Sequence, residues 1–209
     1  MADNYLERKM EEYRNASSLP MGRTLGLDAL LKRNRSTRGF DSSYVMNGRQ
    51  LRAMVSVCDK IASAKNRQIL RFHIAVGDRA KSILPLVKMG AALPLLHLPL
   101  PGTEPNAFIV ICSDCPESPY YEFDEGIAAQ SILLKAVEMG FNGLIVKAFD
   151  RDKLRSVLGL ELLPTTVIAI GKSAEKAELV APGNDGSLAY YREDGVHKVP
   201  KIPWEKLIV

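Results

Sequence analysis

Residues 32–40 read KRNRSTRGF. Four basic side chains, Lys32, Arg33, Arg35 and Arg38, share nine positions with Ser36 and Thr37, and Gly39 breaks the run. A guanidinium group can form two parallel, charge-assisted hydrogen bonds to phosphate oxygens, and a serine hydroxyl can fill a third oxygen position. Arg35, Ser36 and Arg38 supply such a set. The same residues would also serve as a solvated turn, because water and salt screen the repulsion among the cations. The stretch by itself leaves both readings open.

The rest of the composition narrows the classes. The 209 residues are 46% hydrophobic and 25% charged, which suits one globular domain spanning 1–209. A net charge of +4 does not call for a nucleic-acid partner, and no aromatic-studded basic strand is present. No apolar run approaches the ~20 residues of a membrane-spanning helix, so no membrane partner is expected. The opening MADNYLERKMEEYRNAS is charged throughout and does not read as a secretory signal. The three cysteines, Cys58, Cys112 and Cys115, are too few for a disulfide framework and fit a reducing, cytoplasmic setting. The C-S-D-C at 112–115 has no second cysteine–histidine pair, so no metal site is expected.

Periodicity gives the elements. A polar helix is expected over 3–15, then a loop, so that 1–26 forms an N-terminal appendage. A short helix with Leu27, Leu30 and Leu31 leads into the basic cluster. Residues 48–62 carry apolar side chains at helical spacing. LRFHIAV, 70–76, alternates as a half-buried strand with Arg71 and His73 on its polar side. A short helix over 78–88 is ended or bent by Pro85. Residues 89–106 form a proline-rich loop that is unusually apolar and should pack on something. AFIVIC, 107–112, and TTVIAIG, 165–171, read as buried strands, and GLIV, 143–146, as a short one. A long helix covers 122–139, where Glu122, Asp124 and Glu125 suit the positive end of the dipole. Its small residues, Gly126, Ala128 and Ala129, suit close helix packing. Asp150 caps a helix through Val157. His197, beside Gly195 in a hairpin-like turn, should be solvated. The tail PKIPWEKLIV should dock, with Trp204 as an anchor. Alternating helices and few buried strands predict a three-layer α/β/α domain, either α/β or α+β, with helices on both faces of a small sheet.

NRSTRGFD, then SAKNRQ at 63–68, then D-x-G-x-A-x-Q at 124–130, then GFNGLIVKAFD at 140–150 and a strand ending in Gly171 follow one another in order. Together they resemble the FMN-dependent nitroreductase family, from about residue 27 to the C-terminus. The resemblance selects α+β: it implies a nitroreductase-like fold with a mostly antiparallel sheet. It implies a homodimer with two flavins at the interface. Arg35 and Ser36 would bind the FMN phosphate and Arg38 the pyrimidine end. Ser63, Asn66 and Gln68 would reach the flavin of the other subunit. The turn of Val146, Lys147 and Ala148 would offer backbone N–H groups near flavin N5, and Lys201 or Lys198 would close on the phosphate. Arg38, Lys147 and Ala148 are thus the expected catalytic positions.

The implied activity is NADH- or NADPH-dependent reduction of nitroaromatics, quinones or related small-molecule electron acceptors by alternating hydride transfer. The apolar 89–106 loop would border that active site, with His97 in it, and the extension 190–209 would dock on the partner subunit. The chain departs from the family pattern at Asn34, at Ile69-Leu70, at Lys147-Ala148 and at Ile202. Those departures motivate an alternative: a flavin-binding or sensor protein of the same fold without turnover.

Overall fold

AFIVIC and TTVIAIG are apolar on both faces, and a strand of that kind must lie between two other layers. The computed structural model, which describes residues 25–90 and 97–209, puts them there. Strands β1 (Leu70–Val76), β2 (Ala107–Ser113), β3 (Asn142–Val146) and β4 (Leu163–Gly171) form one sheet in the order β1-β2-β4-β3. Every pairing in it is antiparallel, with Ile109 opposite Ile168 at the centre. The expected helix over 3–15, the loop through residue 24 and residues 91–96 of the apolar loop lie outside the described residues.

Alternation along the two central strands splits their side chains between two cores. Phe108, Val110, Val167 and Ala169 face one core, while Ile109, Ile111, Ile168 and Ile170 face the other. Helices α3 (Asp78–Ile83) and α5 (Arg151–Leu158) close the first with Ala80, Ile83 and Leu154. Helices α2 (Gly48–Val55) and α4 (Tyr121–Glu138) close the second with Leu51, Met54, Ile132 and Ala136. The result is the expected α+β arrangement of a small antiparallel sheet between two helical layers.

Local signals set the ends of these helices. Asn47 accepts hydrogen bonds from the Arg49 and Gln50 amides, and Gln50 returns one from the Asn47 amide, which makes a capping box for α2. The expected helix over 48–62 is α-helical only to Val55 and continues as a 3-10 turn over Ser56–Asp59. Val55 and Val57 flank Ser56 there, and β-branched residues with a serine are poor helix formers. Asp150 caps α5 through the Lys153 amide at 3.0 Å, and Gly159 ends it with φ +62°. Ala128 and Ala129 are buried, as close packing requires, but Gly126 faces open space.

A second sheet was not evident in the sequence. It holds β5 (Lys176–Val180), β6 (Tyr191–Glu193) and β7 (Val196–Pro200) in the order β5-β7-β6. Asp194-Gly195, both with positive φ, makes the tight turn between β6 and β7. This corrects the expectation for His197. It lies within β7, not in the turn, and is buried.

The basic stretch itself is fastened to the sheet. Before it lies α1 (Leu27–Arg33). Ser36 then pairs in parallel with Gly143 of β3, and the Thr37 amide donates to the Gly143 carbonyl at 3.0 Å. Phe40 bridges Ser173, and the Asp41 amide donates to the Lys172 carbonyl at 2.8 Å. A Cβ on Gly143 would collide with the Ala169 carbonyl and come within 2.7 Å of Leu133. We expect Gly143→Ala to destabilise the protein by about 2–3 kcal/mol, since close-packed neighbours must shift. Thermal unfolding should show a midpoint lowered by roughly 5–10 °C; an unchanged midpoint would refute this account of the close approach.

Candidate functional site

Fastening residues 36–41 to β3 and to the chain after β4 leaves Arg35, Ser36 and Arg38 lining a cavity of about 320 Å³. Lys201 lines the same cavity, together with Gln130 of α4, Ile145 of β3, Tyr190 and His197. Thus three of the expected anion-binding cations, and the serine between two of them, come together from positions as far apart as 35 and 201. No carboxylate lines this cavity among the described residues.

The cations are held in different ways. Arg38 is 9% exposed. Its Nη1 donates to the Ser36 carbonyl at 3.2 Å, and its guanidinium sits over the Tyr190 ring, 5.0 Å from the centroid. Arg35 Nη2 donates to the Leu31 carbonyl at the end of α1. Burial works against the charge of Arg35 and lowers its pKa. The Nε atoms of Arg35 and Arg38 are both buried without a hydrogen-bond partner. Glu175 does not face the cavity; it accepts from the Arg38 amide at 2.6 Å and pairs with Arg192. His197 packs against Tyr190 with ring centroids 5.0 Å apart and planes tilted by 54°. Burial, and then Arg38 and Arg192, push its pKa down against the pull of Glu175, which favours the neutral ring.

The two C-terminal candidates separate. Lys201 lines the cavity, and its amide donates to the Val180 carbonyl at 2.9 Å. Lys198 instead pairs with Glu178 at 2.7 Å.

Ser63, Asn66 and Gln68 line a different and smaller cavity, about 180 Å³, which shares no residue with the first. Its core contact is Asp124, 3% exposed, in the first turn of α4. Asp124 accepts from Ser63 Oγ at 2.7 Å and from the Ala64 amide at 2.8 Å. Ser63 Oγ in turn accepts from the Gln68 amide at 2.9 Å. Lys65, Asn66 and Gln68 have φ of 53°, 53° and 50°, a region costly for residues other than glycine. Each such residue costs roughly 1–3 kcal/mol, with asparagine at the lower end. The exposed Asn66 and Gln68 side chains bond to one another at 3.0 Å.

The turn after β3 is also tied to α4. Val146 is buried, and Lys147 Nζ donates to Glu125 Oε2 at 2.7 Å and to the Thr165 carbonyl at 2.9 Å. Ala148 accepts through its carbonyl from the Lys88 amide at 2.9 Å. Burial alone would raise the Glu125 carboxyl. Burial is the largest single influence, but the Lys147 bond, the Thr165 and Thr166 hydroxyls and the lysine charge together outweigh it and hold the carboxyl below its usual range.

Reading the sequence missed several of these residues. Asp124 and Glu125 do open a helix, but they are buried and bonded rather than solvated acids. Nothing in the sequence singles out Tyr190, and the turn signal at Gly195 suggests a solvated His197, because the second sheet is not evident there. His97 is exposed, Cys115 is a free thiol in a loop, and Cys112 is buried in β2. Among the described residues there is no cluster of three metal-ligating side chains. No described helix is long and apolar enough to cross a membrane.

No protein-family model matches the chain, and no curated protein does. Solved structures do. A nitroreductase family protein from Streptococcus pneumoniae TIGR4 is 17% identical, with a TM-score of 0.64 over 88% of this chain and 99% of that one. A protein from Exiguobacterium sibiricum 255-15, described as a nitroreductase in complex with FMN, is 14% identical, with a TM-score of 0.65 over 90% and 98%. An FMN-dependent nitroreductase from Clostridium difficile R20291 is 19% identical, with a TM-score of 0.58 over 72% and 89%. At these identities the likeness concerns the fold, and the chain has the nitroreductase fold.

The Glu125–Lys147 pair carries a pH signature. A carboxyl depressed by folding stabilises the folded state above its unfolded pKa of about 4.3, and that contribution is lost as pH falls through the lower folded value. We expect Glu125→Gln to lose about 1–2 kcal/mol at pH 7 and progressively less below pH 4. Denaturant titrations at both pH values check this; an equal loss at both would contradict it.

Proposed function

We propose that this protein binds FMN and uses it as an NAD(P)H-dependent oxidoreductase. One observation carries the reading: Arg35, Ser36, Arg38 and Lys201 meet in one cavity that no carboxylate among the described residues lines, on the nitroreductase fold. The residues fit the group. Two buried Nε atoms lack partners, and a phosphate dianion would answer the excess cationic charge.

In this reading Arg35, Ser36 and Lys201 hold the phosphate, and Arg38 lies toward the ring system. Lys198, paired with Glu178, serves as a strut for β7 next to Lys201. FMN held there would supply a two-electron carrier between NADH or NADPH and nitroaromatics, quinones or related acceptors. Arg38 offsets the negative charge that reduction adds to the ring, and the Tyr190 face keeps its guanidinium in place. The Val146–Ala148 turn presents backbone amides, with Lys147 anchored on Glu125 rather than free. No side-chain nucleophile is required.

The site is completed by a second copy of the chain. Ser63, Asn66 and Gln68 lie in a separate cavity; in this reading Asn66 and Gln68 reach the flavin of a partner subunit, and Ser63, its hydroxyl bonded to Asp124 and the Gln68 amide, belongs to that site by holding the segment. Exposed Phe123 and Ile127 on α4, at 68% and 40%, and the exposed tail residues Trp204, Leu207 and Ile208 give that partner apolar surface to cover. The extension 190–209 docks there, and the protein works in the cytoplasm.

Lys147-Ala148 favours a second reading, a flavin-binding or sensor protein without turnover, because it stands where the resembled family commonly has Gly-Gly or Glu-Gly, and the lysine is tied to α4 and β4. The test is direct. The purified protein should be yellow, should release FMN on denaturation and should sediment as a dimer. Anaerobic NADH or NADPH should bleach the flavin. A colourless protein that ignores added FMN refutes both readings; bound flavin that no nicotinamide bleaches supports the second.

A further inference from the structure

The segment 63–68 combines a strained backbone with a single buried anchor. Three of its residues other than glycine, Lys65, Asn66 and Gln68, take positive φ within four positions. Such strain persists only where surrounding contacts over-determine it, and it gathers at sites that present groups to a ligand. Arg71 Nη1 donates to the Gln68 carbonyl at 2.7 Å on the exposed side, and the Asn66 and Arg67 amides bond to the Ser63 and Ala64 carbonyls; the buried side-chain contacts trace to one carboxylate. Asp124 holds the Ser63 hydroxyl and the Ala64 amide, and that hydroxyl holds the Gln68 amide. Both ends of the strained run are therefore fixed through Asp124. What the run displays is two exposed amide side chains, Asn66 and Gln68, suited to a planar heterocycle with donors and acceptors.

Asp124 is itself on an anchored element. The adjacent Glu125 is bonded to Lys147, which also bonds β4 through the Thr165 carbonyl. The first turn of α4 cannot shift without disturbing the turn that follows β3. Downstream on the same helix, Gln130 lines the cation-rich cavity.

We propose that Asp124 is a positioning residue, holding Asn66 and Gln68 in the strained conformation that presents their amides to the flavin of a second subunit. This rests on the flavin reading of the preceding subsection. Asp124 touches no ligand; it acts through the two amides, so its effect should vanish when they are absent. A residue that merely stabilises the fold would weaken binding in either background.

A double-mutant cycle separates the two. The four proteins are the wild type, Asp124→Asn, Asn66→Ala with Gln68→Ala, and all three changes together. Each is titrated with FMN by quenching of flavin fluorescence. Asp124→Asn should weaken FMN binding about tenfold alone and by less than about twofold in the background lacking both amides. Ser63→Ala removes only one hydroxyl from the same link and should fold normally. It should weaken binding about threefold, again only when Asn66 and Gln68 are present. Additive losses, or variants that bind FMN like the wild type, would overturn the inference while leaving the flavin reading intact. A wild type that binds no FMN would overturn the flavin reading and this inference with it.

Discussion

The absence of a side chain at Gly143 is the constraint on which the site depends. A Cβ there would meet the Ala169 carbonyl, Leu133 and Ile170, so the glycine keeps β3 seated against β4 and α4, and the strand-like run after α1 pairs with that edge through the Thr37 amide and the Gly143 carbonyl. From that one contact the positions of Arg35, Ser36 and Arg38 follow. The same run then crosses to the chain after β4, where Phe40 covers Gly171 and pairs with Ser173. Through Glu175 and Tyr190 it meets the second sheet, which delivers Lys201 to the same cavity. A backbone close approach thus gathers charges from both ends of the chain.

The electrostatics of that gathering are unusual for a resting surface. Arg35, Arg38 and Lys201 share a cavity in which no carboxylate is found among the described residues, and two guanidinium Nε atoms are buried without partners. The acids nearby are spent elsewhere: Glu175 on Arg192 and the Arg38 amide, Glu178 on Lys198. Like charges held together in a partly desolvated cavity oppose folding unless an anion joins them. The α4 acids show the complementary design. Asp124 accepts two bonds from residues 63 and 64, and Glu125 accepts one from Lys147 through Oε2, while its Oε1 is buried without a partner among the described residues.

Much of the fold was legible because its signals are local. Doubly apolar strands, the Asp150 cap and the end of the long helix at Gly140 are written in a few adjacent residues. The resemblance pointed to the basic cluster and the 63–68 segment as pieces of one site, and the chain has the fold it implied. The second sheet escaped because its strands are short, partly exposed and not apolar, so burial left no periodicity to read. His197 and Tyr190 were lost with it. The roles of Asp124 and Glu125 escaped for another reason. An acid in a first helical turn looks the same whether it serves the dipole or a residue some sixty or twenty positions away, and only the tertiary fold distinguishes them.

FMN and riboflavin differ only by the phosphate, so their relative affinity isolates what the cation-rich cavity contributes. Calorimetric titration of the protein with each, at low and moderate salt, measures it. The account predicts FMN binding on the order of 100-fold tighter than riboflavin, with a preference that shrinks as salt rises. Equal affinities at every salt concentration would contradict it.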